Sequence, residues 1–230
     1  MKSVKIIELK ESILEDNDRD ADALRAELKG ARRFYLNVMS SPGSGKTSCI
    51  LRTAEKLKDR FSIGVMEADI DASVDAERVA EAGFPAVQLH TGGMCHLDAD
   101  MSRQGIRALD AAAAEMGLSA PEFIILENVG NLVCPAEFDT GAALNAVILS
   151  VPEGDDKPLK YPLMFEQCSA ALVNKIDSAP AFDFDFDRVR ENIRFRKPDA
   201  EVFFVSAKKD QGFDEWCEWL AAQAESALRG

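Results

Sequence analysis

The sequence predicts one three-layer α/β domain with a mostly parallel central sheet, preceded by an N-terminal helix. Three observations support this fold class. Short apolar runs alternate with amphipathic segments along most of the chain. The apolar runs are continuous instead of alternating with polar residues, as expected for parallel strands that are covered on both faces. A turn rich in Ser, Pro and Gly joins the first apolar run to the next helical segment.

The elements follow from this alternation. Residues 11–29 have apolar positions at helical spacing and end at Gly30, which predicts a first helix. Strands are predicted at 34–39, 62–66, 86–90, 123–126, 146–151, 170–174 and 201–205, and further helices at 46–58, 75–82, 98–116, near 187–196 and at 213–228. Residues 152–162 contain Gly and Pro and are expected to form a flexible loop. We therefore divide the chain into a helical extension, residues 1–30, and one domain, residues 31–230.

Composition excludes several classes of protein. The net charge of −13 argues against a general nucleic-acid binder, which needs a cationic surface. The 5 cysteines are scattered and odd in number, so we expect reduced thiols and a cytoplasmic protein. We find no signal-peptide pattern and no apolar run of the ~18 residues that a membrane span requires.

The segment after the first strand has the pattern of a phosphate-binding P-loop. Gly45-Lys46-Thr47 matches the end of the motif, although Ser40 occupies the position where the motif has glycine. Backbone N–H groups of such a loop form an anion nest at a helix N-terminus. We expect Lys46 to reach the β- and γ-phosphates and the Thr47 hydroxyl to bind Mg²⁺. The phosphate-binding residues are then Pro42, Gly43, Ser44, Gly45, Lys46, Thr47 and Ser48, and the domain is a P-loop NTPase domain. The alternative is an ordinary turn between a strand and a helix.

A second motif concerns the nucleotide base. Asn174-Lys175-Ile176-Asp177 ends a predicted strand and resembles the N-K-x-D motif of P-loop GTPases. One Asp177 carboxylate can accept hydrogen bonds from both N1–H and N2–H₂ of guanine, a donor pair that adenine lacks. Lys175 is expected to pack along the base and Asn174 to brace the neighbouring loops. Ser206-Ala207-Lys208 follows the last strand and resembles the S-A-K element that contacts the guanine oxygen.

Acidic residues after two strands are candidates for Mg²⁺ and hydrolysis. Glu127 ends the strand 123–126, and Gly130 could sense the γ-phosphate through its N–H. Residues 67–75 carry four acids and resemble a first switch, in which we choose Asp69 and Asp75 for Mg²⁺ or the attacking water. The catalytic set is therefore Lys46, Asp69, Asp75 and Glu127, although a solvated acidic loop remains an alternative for any one acid. Without an assigned glutamine or arginine finger, we expect slow turnover, roughly 10⁻⁴ to 10⁻² s⁻¹.

Soft metal ligands occur in two other loops. Cys95 and His96 follow one predicted strand, and Cys134 lies shortly after Glu127. Thiolate and imidazole suit Zn²⁺ and Ni²⁺. Three ligands leave a tetrahedral ion incomplete, so water or a second copy of the chain would supply the fourth. The alternative is that these cysteines, like Cys49, Cys168 and Cys217, are buried apolar residues.

These motifs together resemble the HypB family, the GTPases of the SIMIBI class that act in [NiFe]-hydrogenase maturation. The resemblance rests on the P-loop, Gly93-x-Cys95-His96-Leu97-Asp98-Ala99, the segment from Glu127 to Pro135, and Asn174-Lys175-x-Asp177. It implies GTP and GDP as ligands with Mg²⁺, a nucleotide-dependent homodimer, and nickel delivery to the hydrogenase large subunit. It also implies a HypA-type nickel chaperone as partner and, in some organisms, SlyD. The family's Ni²⁺ or Zn²⁺ ligands map onto Cys95, His96 and Cys134.

The chain departs from the family pattern at its N-terminus. Many members carry Cys-x-x-Cys-Gly-Cys or a His-rich stretch there, but this chain has no cysteine before Cys49 and only 2 histidines. We therefore expect no tight N-terminal nickel site and no nickel storage. Residues 11–29 are either a docking surface for the partner chaperone or a helix packed on its own domain.

Two other functions stay open at this point. A small-molecule kinase would share the P-loop and would need a basic lid, for which residues 188–197 are the available cluster. A non-catalytic scaffold would bind the nucleotide only to stabilise its fold. Competition of ATP and GTP for the site distinguishes the kinase, and measured GTP turnover distinguishes the scaffold.

Overall fold

The computed structural model describes residues 9–69 and 74–229, so residues 70–73 of the predicted first switch lie outside the described residues. The strands are β1 Phe34–Ser40, β2 Ile63–Asp69, β3 Ala86–His90, β4 Phe123–Glu127, β5 Leu144–Ser150, β6 Ala170–Asn174 and β7 Glu201–Phe204. They form one 7-stranded sheet in the order β3-β2-β4-β1-β5-β6-β7. Every pairing in this sheet is parallel, which confirms the predicted fold class.

The helices cover both faces of this sheet. They are α1 Leu9–Gly30, α2 Lys46–Leu57, α3 Val74–Glu81, α4 Ala99–Glu115, α5 Cys134–Glu137, α6 Lys157–Lys160, α7 Pro162–Glu166, α8 Phe186–Arg196 and α9 Phe213–Arg229. On one face, α2 and α9 pack Ile50 and Trp216 against Val38, and the Trp216 indole N–H donates to Thr53 Oγ1 at 2.9 Å. On the other face, α1 and α4 cover β1, β2 and β4, whereas α7 and α8 cover β5 and β6. In the strand order, β1, which leads into the P-loop, is the central strand of the sheet.

The N-terminal helix α1 is packed on the domain. Leu24 and Leu28 are buried in the same core as Leu109 of α4. The Asn17 side chain donates to the Asp139 carbonyl at 3.0 Å and accepts from the Ala99 N–H at 2.9 Å. The sequence left two alternatives for residues 11–29, a docking surface or a helix packed on its own domain. These contacts are those of a helix packed on its own domain. None of the described helices is both long and apolar enough to cross a lipid bilayer.

The prediction that residues 152–162 form a loop is wrong for most of this segment, and holds only for the turn at residues 154–156. A 3₁₀ turn at Val151–Glu153 and a short non-helical stretch at residues 154–156 lead into α6 and α7. Proline is tolerated in the first turn of a helix because its missing N–H has no intrahelical acceptor there. Pro158 and Pro162 occupy such positions in α6 and α7, so prolines that read as loop residues in the sequence instead begin helices.

Candidate nucleotide and metal site

The predicted motifs converge at one edge of the sheet. Ser40, Glu127 and Asn174 are the last residues of β1, β4 and β6. The carboxyl ends of parallel strands meet at the same edge, which is where ligands bind in open α/β sheets. The P-loop, the guanine motif and the acidic residues therefore face a common space.

The P-loop has the backbone geometry that its glycines permit. Gly43 and Gly45 have φ values of 77° and 94°, which L side chains rarely adopt. Ser40, which replaces the expected glycine, is buried and forms hydrogen bonds within the loop. Its hydroxyl donates to the Ser41 carbonyl at 2.8 Å and accepts from the Ser44 hydroxyl at 2.7 Å. The buried Ser40 hydroxyl thus stabilises the loop through these two hydrogen bonds. Lys46 and Thr47 begin α2, with Ser48 following them.

Glu153, which the sequence analysis did not select, joins the P-loop to the end of β5. The Ser41 hydroxyl donates to its carboxylate. The other carboxylate oxygen of Glu153 accepts from the N–H and the hydroxyl of Ser150, each at 2.8 Å. Ser150 and Glu153 form a capping box, and the S-x-x-E spacing at the end of an apolar strand is the signal that could have identified it.

The guanine motif is joined to the P-loop by direct contacts. Asn174 Nδ2 donates to the Ser44 carbonyl at 2.9 Å, while Asn174 Oδ1 accepts from the Ala207 N–H at 3.2 Å. Lys175, in a left-handed conformation with φ 61°, donates from Nζ to the Gly43 carbonyl at 2.6 Å. Asn174 therefore links the phosphate loop, the base motif and the S-A-K element.

The exposed Asp177 carboxylate is held in its charged form. The Ser206 hydroxyl donates to Asp177 Oδ1 at 2.6 Å, and this hydrogen bond is the main cause that lowers the pKa of Asp177. The nearby positive charges of Lys208 and Lys209 lower that pKa further. Asp177 is therefore an acceptor at neutral pH, as guanine recognition requires.

Three carboxylates gather beside Thr47. Ligand oxygens of Glu67, Asp75 and Glu127 all lie within 4.8 Å of one another. The Thr47 hydroxyl donates to Glu127 Oε1 at 2.9 Å, and Lys46 Nζ lies 3.9 Å from the same oxygen. This set of oxygen donors suits a hard divalent cation such as Mg²⁺.

Buried polar atoms show that the group fits a cation. Glu67 Oε2 and Glu127 Oε2 are buried and have no hydrogen-bond partner among the described residues. Burial is the main cause that raises the pKa of both carboxyls to about 7, since the charged form is disfavoured away from water. A bound cation would stabilise their charged forms. Of the predicted acids, Asp75 and Glu127 belong to this group, whereas Asp69, the last residue of β2, lies outside it.

Gly130 lies against the P-loop. A Cβ atom at Gly130 would meet Pro42 Cγ at 3.3 Å, so only a residue without a side chain approaches the loop this closely without displacing it. The preceding Asn128 is fully buried, and its amide donates to Asn37 Oδ1 on β1 at 3.0 Å. The segment that leads from Glu127 towards Cys134 is therefore anchored beside the phosphate-binding residues.

The structure brings together two of the three predicted soft-metal ligands. The Cys95 and Cys134 thiols are close enough to interact by a hydrogen bond, which is the main cause that raises the pKa of Cys134. His96 is not gathered with them into a three-ligand group among the described residues, because its ring stacks on Phe138 with centroids 3.6 Å apart. Burial lowers the pKa of His96, which favours the neutral imidazole that binds metals. The other cysteines, Cys49, Cys168 and Cys217, are buried.

The basic cluster at residues 188–197 does not have the features of a lid. It forms α8, in which Arg188 pairs with the buried Asp155 and the Arg190 guanidinium lies over the Phe204 ring at 4.7 Å. Arg196 donates to the Pro158 carbonyl at 3.3 Å. These arginines hold neighbouring elements together, which argues against the kinase alternative.

Comparison with known proteins identifies the family of this chain. Residues 35–204 match the family described as CobW/HypB/UreG, nucleotide-binding domain. The fold and the site thus define a P-loop NTPase, a class of proteins that bind and hydrolyse nucleoside triphosphates.

Individual relatives show which branch of this broader family the chain belongs to. The chain is 45% identical over 225 residues to the hydrogenase maturation factor HypB of Azotobacter vinelandii, covering 98% of this chain and 72% of that protein. It is 41% identical to the hydrogenase/urease maturation factor HypB of Helicobacter pylori strain 26695, covering 95% and 87%. The crystal structure of HypB from Helicobacter pylori in complex with nickel superposes with a TM-score of 0.85 at 38% identity, covering 93% of this chain and 97% of that one. The chain belongs to the HypB family of hydrogenase maturation factors.

Proposed function

We propose that this chain is a GTP-hydrolysing nickel metallochaperone for [NiFe]-hydrogenase maturation, in which the nucleotide state controls dimerisation and metal transfer. One observation carries the proposal. The segment that begins at Glu127, in the carboxylate group beside Thr47, ends at Cys134, whose thiol lies beside that of Cys95. A change at the γ-phosphate therefore has a short covalent route to a pair of soft metal ligands.

The choice of GTP is supported by the charge and position of Asp177. Its lowered pKa and its contact with Ser206 keep an acceptor at the place where the base is expected. Asn174 fixes this motif to the P-loop at a set distance, so the base and the phosphates of one nucleotide can be read together. Lys175 and Ser206-Ala207-Lys208 complete the proposed base contacts.

Hydrolysis is supported by the residues beside the P-loop. Lys46 would bind the β- and γ-phosphates, while Thr47, Asp75 and Glu127 would hold Mg²⁺. When bound, Mg²⁺ neutralises charge that develops on the phosphate oxygens. Asp69 and Asp75 remain the proposed residues for orienting the attacking water. Because no arginine finger is assigned, we expect low intrinsic turnover.

Nickel is the proposed cargo, with Zn²⁺ as an alternative ion at the same site. Cys95 and Cys134 already lie side by side, and release of the His96 ring from Phe138 would supply an imidazole. A second copy of the chain can complete the coordination, which gives the homodimer a direct role in holding the metal. We further propose that a HypA-type chaperone, the hydrogenase large subunit and, in some organisms, SlyD are partners in the cytoplasm.

Sedimentation of the full chain tests the dimer. It would be measured with GDP and with a non-hydrolysable GTP analogue, each with and without Ni²⁺. We expect the dimer fraction to be greatest with the GTP analogue and Ni²⁺. A monomer under all four conditions would contradict nucleotide-controlled dimerisation.

Nickel affinity tests the coupling of the two sites. Ni²⁺ dissociation constants measured with GDP and with the GTP analogue should differ, and nickel should change the affinity ratio of the two nucleotides by the same factor. Identical nickel affinities in both states would refute coupling while leaving nucleotide binding intact.

A further inference from the structure

A row of polar side chains crosses three strands next to the P-loop. Glu67 on β2 is in register with Glu127 on β4 on one side and with Gln88 on β3 on the other. Side chains at registered positions of parallel strands point to the same face of the sheet. Gln88 therefore extends the carboxylate group by one residue, to the strand at the edge.

This row contains buried polar atoms without partners. Among the described residues, Glu67 Oε2, Glu127 Oε2 and both amide heavy atoms of Gln88 are buried without a hydrogen bond. Each buried unpaired group destabilises a fold, so such groups are few in native proteins and call for an explanation. Four of them in one row indicate that a ligand satisfies part of the set.

We propose that Glu67 is a ligand of the nucleotide-associated divalent cation and that Gln88 is its positioning residue. The proposal rests on the proposed GTPase function, because the cation belongs to the same nucleotide. The Gln88 amide lies beside the Glu67 carboxyl and interacts with its charged form. In the cation-bound protein, an amide N–H turned towards one carboxylate oxygen would leave the other oxygen for the cation. A neutral amide performs this role without adding a fourth negative charge to Glu67, Asp75 and Glu127.

A purely structural role for Glu67 predicts different behaviour. A buried carboxylate beside Glu127 is unfavourable in the cation-free protein, so Glu67→Gln should stabilise the cation-free fold. The same substitution should weaken cation binding because it removes a charged ligand. Stability and cation affinity thus change in opposite directions, whereas a structural role makes Glu67→Gln destabilising and leaves the cation affinity unchanged.

The test measures Mn²⁺ as a spectroscopic substitute for Mg²⁺. Free Mn²⁺ is followed by electron paramagnetic resonance in a titration of the full chain saturated with GDP. Glu67→Gln should raise the Mn²⁺ dissociation constant at least about 10-fold, and Gln88→Met should raise it about 10- to 100-fold, the range for residues that orient metal ligands. The matched control is Gln104→Met, the same change at an exposed residue of α4 whose amide contacts Asp100.

Two controls separate the possible outcomes. Thermal unfolding of each cation-free variant reports folding, and a fluorescent GDP analogue reports nucleotide binding. Wild-type Mn²⁺ affinity in both Glu67→Gln and Gln88→Met, with GDP still bound, would overturn this inference and leave the proposed function standing. If the wild-type chain does not bind the GDP analogue, the proposed function is refuted.

Discussion

Replacement of Gly45 by alanine tests whether the phosphate loop and the base motif depend on one close contact. Gly45 has φ +94°, and a Cβ atom there would meet Asn174 Nδ2 at 2.6 Å. That same nitrogen donates to the Ser44 carbonyl at 2.9 Å. Alanine at this position must therefore displace the Asn174 side chain. Gly43→Ala is the matched control, because Gly43 has φ +77° but no atom within 4 Å of the corresponding Cβ.

The two substitutions differ in their expected magnitude. A left-handed conformation destabilises an L residue by about 1–2 kcal/mol, which applies to both positions. At Gly45, loss of the Asn174 hydrogen bond leaves a buried amide unpaired and adds about 1–3 kcal/mol. Gly45→Ala should thus lower the free energy of unfolding by about 1–3 kcal/mol more than Gly43→Ala does.

Urea unfolding of the nucleotide-free protein measures this difference. The double variant Gly45→Ala with Asn174→Ala removes the clash, so its effect should be smaller than the sum of the two single effects. Equal unfolding free energies for Gly43→Ala and Gly45→Ala, or strict additivity in the double variant, would refute the reasoning.

Three further predictions concern the base, the acids and the soft metal. Asp177→Asn should weaken GDP binding by about 10- to 100-fold, since hydrogen bonds to charged groups contribute about 1.5–3 kcal/mol, and should leave ATP binding unchanged; an equal loss for both nucleotides in competition assays would contradict guanine recognition. Glu67 and Glu127 have pKa values raised from 4.5 to about 7, so the cation-free folded state binds more protons than the unfolded state. Their contribution to stability is complete below pH 4.5 and is lost as the pH rises through about 7. Glu127→Gln should weaken the pH dependence of the urea unfolding midpoint between pH 5 and 8. A midpoint that changes with pH as steeply as in the wild type would contradict a role of the buried Glu127 charge. Cys95→Ala should remove one high-affinity Ni²⁺ site per chain, whereas Cys168→Ala, which changes a buried thiol, should retain it; retention in both variants would place nickel elsewhere.

The fold and the base motif are accessible from the sequence because their signals are local. Each motif follows a continuous apolar run, and parallel strands bring their carboxyl ends to one edge. The relation between Asn174 and the P-loop then follows from the position of β6 in the sheet. The sequence did not show that the Gly45 backbone and the Asn174 side chain touch, because that distance depends on how closely two loops pack.

Glu67 was one of the four acids in residues 67–75 but was not selected as a ligand. The predicted strand ended at residue 66, whereas β2 extends to Asp69, so Glu67 lies within the strand and Asp75 lies in α3. The register of β2 against β4, which no sequence pattern specified, places Glu67 beside Glu127. A useful signal was present, because an acid in an otherwise apolar strand is buried and requires a partner.

The other differences have similar causes. Pro158 and Pro162 indicated a loop, but proline also begins helices, and the sequence alone does not distinguish the two roles. Cys95 and His96 are adjacent in sequence, yet adjacent side chains project in different directions. The His96 ring therefore stacks on Phe138 while the Cys95 thiol faces Cys134.

The order of the strands separates the two kinds of recognition in space. The proposed base-binding residues follow β6 and β7 on one side of β1, whereas the carboxylates and the paired thiols lie on or after β2, β3 and β4 on the other side. Only the P-loop belongs to both halves. A substitution at the exposed Asp177 is therefore expected to leave the carboxylate half unchanged, whereas Asn174 contacts Ser44 and links the base motif to the P-loop. The strand order thus keeps the proposed base recognition apart from the proposed metal binding, although buried residues from strands of both halves belong to one core cluster under α2 and α9.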